Sequence, residues 1–90
     1  MGDNTIKTLY LAVQGGSNTR VIEVTDKYWM RVAKLADWSA VVIGGNIQLH
    51  LGVGSRPVTL SVGGEAYCNV ISYEFKAFAS KSKASSWLKS

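Results

Sequence analysis

Apolar residues recur along this chain mostly at every second position. From Thr5 to Gln14, Leu9, Leu11 and Val13 fall on one side and Ile6, Thr8, Tyr10 and Ala12 on the other, the alternation of a strand with one strongly apolar face. Gly15-Gly16-Ser17-Asn18 come next, residues that tolerate positive φ, and Val21 to Thr25 resumes a β-branched run. These two segments are expected to pair as a hairpin. A second and clearer hairpin is expected where Ala40 to Ile43 runs into Gly44-Gly45-Asn46. Beyond it Ile47, Leu49, Leu51 and Val53 alternate with Gln48, His50, Gly52 and Gly54. Pro57 cannot donate to a ladder and suits the turn before a strand at Val58 to Val62. Gly63-Gly64 then leads into one long run, Glu65 to Phe78. In it Tyr67, Ile71, Tyr73 and Phe75 oppose Cys68, Val70, Ser72, Glu74 and Lys76, and its mixed start suggests a bulge or a strand covered on both faces.

The stretch Thr25 to Trp38 departs from this period. At about 100° per residue, Tyr28, Trp29, Val32, Leu35 and Ala36 share one broad arc, which predicts an amphipathic helix capped by Thr25 or Asp26. Lys27, Arg31 and Lys34 would follow one another along its exposed side, with Trp38 one turn beyond. Such a ridge is ordinarily a solvated helix face. The expected order is therefore ββαββββ, about six short strands in a mainly antiparallel sheet with one amphipathic helix packed on one face, an α+β fold. The Tyr28/Val32/Leu35 stripe would meet the Leu9/Leu11/Val13 and Ile47/Leu49/Leu51 faces.

Composition and charge narrow this picture. Ninety residues with 47% hydrophobic content suit one globular domain near the lower end of self-sufficient size. Residues 1–79 are assigned to it. Residues 80–90 form a Ser/Lys-rich tail or arm, in which Lys81, Lys83 and Lys89 carry charge and Trp87 and Leu88 are the large apolar residues. Together with Lys76 these lysines account for the net charge of +4, because basic and acidic groups balance up to residue 75. Any order in so short a tail has to come from docking, which should bury Trp87 and leave the lysines solvated or facing acids. There is neither a signal peptide nor an apolar run long enough to span a bilayer, so a soluble, intracellular protein without membrane contact is expected.

Candidate chemistry is sparse. One histidine, His50, and one cysteine, Cys68, are too few for a closed metal site, and no cofactor, metal or small-molecule substrate is inferred. A Cys68/His50 nucleophile pair is conceivable only if their strands are adjacent. The glycines of GVGSR at 52–56 lack the following helix of a phosphate loop, although Arg56 can still contact an anion. The expectation is a non-catalytic, self-associating structural or protein-interaction subunit, a homo-oligomer or the partner of another protein, contacting it through Trp87, Leu88, Phe78 and Met30. The alternative is a small nucleic-acid-binding protein that uses Lys27, Arg31, Lys34, Trp38, Arg56, Lys81, Lys83 and Lys89 to neutralise phosphates and stack on bases.

Overall fold

The computed structural model describes residues 8–15, 19–25, 30–31, 38–51, 56–68 and 72–89. It is an α+β fold of eight strands and one helix. The strands form two four-stranded antiparallel sheets. In chain order they are β1 (Thr8–Gln14), β2 (Arg20–Thr25), β3 (Met30–Arg31), β4 (Trp38–Ile43), β5 (Asn46–Leu51), β6 (Val58–Leu60), β7 (Glu65–Cys68) and β8 (Tyr73–Phe78), followed by α1 (Lys81–Lys89). One sheet, here called A, has the order β2-β1-β8-β7, and the other, B, has the order β3-β4-β5-β6.

The alternation read from the sequence decides which side chains meet between the sheets. Leu9, Leu11 and Val13 of β1, Val24 of β2, and Tyr73, Phe75 and Ala77 of β8 point inward from sheet A. They join Ala40 and Val42 of β4, Ile47 and Leu49 of β5, and Leu60 of β6 in one core. Phe75 is its largest fully buried side chain. In sheet A each of these residues sits on the alternate phase from a polar neighbour or from a residue on the face covered by α1, so the period of two supplies both faces of that sheet.

Turn chemistry agrees with the sequence in the two clearest places. Gly44 and Gly45 both take positive φ, 61° and 82°, and join Ile43 to Asn46. That is the two-residue turn whose twist matches a hairpin. At the β6–β7 connection the Gly64 amide donates to the Ser61 carbonyl at 2.7 Å, with Gly63 at φ 85° in the third position. This is the arrangement of a type II turn, which asks for glycine there. Gly15 answers a different need: a Cβ built on it would lie 2.5 Å from the Tyr73 ring.

Three expectations are corrected. A helix over Thr25 to Trp38 does not form as such: Thr25 closes β2, Met30 and Arg31 pair with Ala40 and Ser39, and Trp38 opens β4 opposite Leu51. At Met30–Arg31 pairing with β4 satisfies the backbone instead. The expected stripe at Tyr28, Trp29, Val32, Leu35 and Ala36 lies outside the described residues. The long run Glu65 to Phe78 is two antiparallel strands, with Cys68 opposite Tyr73. Ser72 adopts a positive φ of 55° there, in a stretch with no glycine or proline to announce a reversal. The helix of the fold is the C-terminal segment Lys81–Lys89, where the composition suggests a Ser/Lys-rich tail or arm.

That helix starts at a side-chain cap. The Lys83 amide donates to Ser80 Oγ at 3.3 Å, and the Ala84 amide to the Ser80 carbonyl at 3.2 Å, satisfying donors that a helix leaves open at its first turn. Lys89 in the last turn suits the negative end of the helix. Nine residues are too short to be stable alone. Docking supplies the rest, because Ala84 is fully buried against the outer face of sheet A. On that face Ala12 is likewise fully buried, and two methyl-sized side chains let helix and sheet approach closely. The molecule is thus layered as α1, sheet A, sheet B.

Candidate interaction surface

The outer face of sheet A is assembled from the positions that point away from the core. The register sets Glu65, Lys76 and Ala12 side by side, then Tyr67, Glu74 and Gln14, then Glu23, Tyr10 and Phe78. Every acidic residue among the described ones, Glu23, Glu65 and Glu74, therefore lies on the face that carries the lysine-bearing helix.

Where the helix meets β8 the Trp87 and Phe78 rings lie 6.1 Å apart at an angle of 49°, within the range of tilted aromatic pairs. Lys76 Nζ sits 5.8 Å from the Phe78 centroid and 6.0 Å from that of Trp87. It also donates to Glu65 Oε2 at 3.1 Å. One ammonium group thus ties the aromatic pair to the edge strand β7. Glu65 is more than half exposed, so its ion pair contributes little to stability.

The four edges of the two sheets differ. β6 has three residues, and short edges are a common way to discourage strand addition. β7 has four, entered directly from the Ser61–Gly64 turn. β2 has six, and among the described residues no strand pairs with its far side. It contains neither glycine nor proline. Beside it on the outer face is a depression of 130 Å³ lined by Tyr10, Val21, Glu23 and Lys81.

The residues singled out in the sequence are only partly brought together. Phe78, Trp87 and Leu88 are half-buried in the α1–sheet A layer, whereas Met30 belongs to β3 at the edge of sheet B. Arg31 lies on β3, so the helical spacing that placed it on a ridge with Lys27 and Lys34 does not apply there; those two lysines lie outside the described residues. Trp38 opens β4, and Arg56 is exposed just before β6. Lys81, Lys83 and Lys89 are exposed on α1. At about 100° per residue Lys81 and Lys83 fall on opposite flanks of the docked Ala84/Trp87/Leu88 stripe, so they do not form one ridge.

His50 and Cys68 are kept apart. His50 shares the outward phase of β5 with Gln48, while Cys68 packs from β7 toward the core between the sheets. Their strands lie in different sheets. No group of three or more metal-ligating side chains occurs among the described residues, and no helix there is long and apolar enough to cross a membrane.

Sequence reading missed Val21 and Glu23 at the open edge, and Tyr67, Ile43 and Val62, each more than half exposed. The β-branched run of β2 was visible in the sequence, but its place at the end of a sheet was not. Compared with known proteins, the chain matches no protein-family model, no curated sequence and no solved structure. Function must therefore be argued from the surfaces themselves.

Proposed function

We propose that this protein is a non-catalytic, self-associating structural or interaction subunit. The observation that carries the reading is the edge of sheet A: β2 is a six-residue strand whose inner side chains join the core and which, among the described residues, has no strand on its far side. Backbone groups on an edge of that kind are satisfied by water or by another strand, and a second strand adds side-chain contacts that water does not. Exposed Tyr67, Ile43 and Val62 add apolar surface for further contacts. An intracellular setting fits the single cysteine, which has no partner in the chain. The test is mass in solution by light scattering across a concentration series, with mass rising as concentration rises. A monomer at every concentration would sink the reading.

Nucleic-acid binding is the second reading, favoured by three exposed lysines on a helix that bears no acid. Glu23, Glu65 and Glu74 on the same face offset part of that positive field, which ranks it below self-association. Titration with single- and double-stranded oligonucleotides at low and moderate salt tests it. Binding that weakens steeply with salt supports this reading, and no binding at low salt disposes of it.

A further inference from the structure

We infer that the open edge of β2 pairs antiparallel with β2 of a second copy about a two-fold axis beside Ile22. The inference rests on the self-association reading and names the surface through which it works. For sheet A to continue across the axis, its core-facing side must stay on one side in both copies. Residues opposite each other must then share the same phase of the strand, so the axis passes beside a residue and not between two. An axis at Glu23 would set two carboxylates directly opposite each other, which is unfavourable. An axis at Val21 would leave half of β2 without a partner strand. An axis at Ile22 matches Arg20 with Val24, Val21 with Glu23, and Ile22 with itself, using nearly the whole strand and opposing no like charges.

The depression beside β2 selects the same arrangement. Neighbouring strands lie about 4.8 Å apart, so Glu23 of one copy comes to rest beside Val21 of the other. That Val21 lines the depression whose rim carries Lys81. Each Glu23 carboxylate thus meets the ammonium group of the other copy's Lys81, and symmetry makes the contact twice. A two-fold contact of this kind is closed, so association stops at two. The contact of one edge strand falls below the roughly 1,200 Å² of standard stable interfaces, which calls for a reversible dimer that dissociates on dilution.

The experiment is sedimentation equilibrium on the full chain, with circular dichroism confirming that each variant is folded. Wild type should fit a monomer–dimer equilibrium. Val21→Glu places like charges opposite Glu23 at two symmetric points and should weaken dimerisation roughly tenfold. Val21→Lys, the control should Val21→Glu fail to fold, should dimerise at least as tightly as wild type. The double variant Val21→Glu/Glu23→Lys recreates opposite charges between positions 21 and 23 but gives up the contact of Glu23 with Lys81, so it should recover part of the loss and no more. Dimerisation indifferent to Val21→Glu, or weakened equally by Val21→Lys, overturns the β2 pairing while leaving self-association standing. Growth beyond the dimer overturns the closed two-fold. A wild-type monomer throughout overturns both the pairing and the reading beneath it, and leaves the edge to a strand of another protein.

Discussion

Sheets A and B have the same strand count and share one core, yet they end differently. Sheet B ends on β6, an edge of three residues, whereas sheet A keeps β2 at six residues and takes a helix over its outer face. Inward positions are equally apolar in both, so the difference does not arise from core packing. It lies in how each sheet handles what the core leaves over. Sheet B limits its free backbone at β6 by shortness, while sheet A covers its face with α1 and keeps at β2 a long edge with no strand beside it among the described residues.

Phe75→Ala tests the shared part and carries the largest expected effect. Removing this fully buried ring should cost about 3–5 kcal/mol, a large part of the roughly 5–15 kcal/mol typical of a domain. Denaturant unfolding followed by circular dichroism should show a single, much earlier transition. If hydrogen exchange finds β4 and β5 still protected while β1 and β8 are not, the two sheets are separate units and the shared-core view fails.

Gly15→Ala acts on sheet A from the end of β1. The added methyl meets the Tyr73 ring at 2.5 Å, so the ring must move out of the core, at about 1–3 kcal/mol. An unchanged melting midpoint would mean the contact relaxes freely.

Trp87→Ala probes the cover of sheet A alone. The loss of a half-buried indole beside Phe78 should cost about 1–2 kcal/mol. It should appear as fraying of α1 by NMR, with the amides of β4 and β5 unaffected. Loss of sheet B protection in this variant would show that α1 stabilises more than the sheet it touches.

The smallest effect is expected for Glu65→Gln. Its carboxylate is mostly exposed, so breaking the pair with Lys76 should change stability by less than about 1 kcal/mol. The change should shrink further at high salt. A larger loss would mean that Lys76 depends on Glu65 to hold its place over the Phe78 and Trp87 rings.

Local features of the fold were legible in the sequence because neighbours in the chain determine them. Alternation marked the inward faces of β1 and β5, and Gly44-Gly45 announced the β4–β5 turn. The β1–β2 pair formed between the segments expected of it. The period of two says which side of a strand is buried but is silent about which strand lies beside it. That β8 inserts next to β1, that the strands divide into two sheets, and that β2 becomes an outer edge are decided by long-range hydrogen bonding and the joint burial of faces distant in the chain. The same reason explains both helix errors: Met30–Arg31 is a strand because β4 is there to pair with, and Lys81–Lys89 is a helix because Ala12 and Phe78 offer it a place to dock. Short segments take the structure that their tertiary partners make favourable, and the open edge of β2, on which the proposed function rests, exists only after those partners have been chosen.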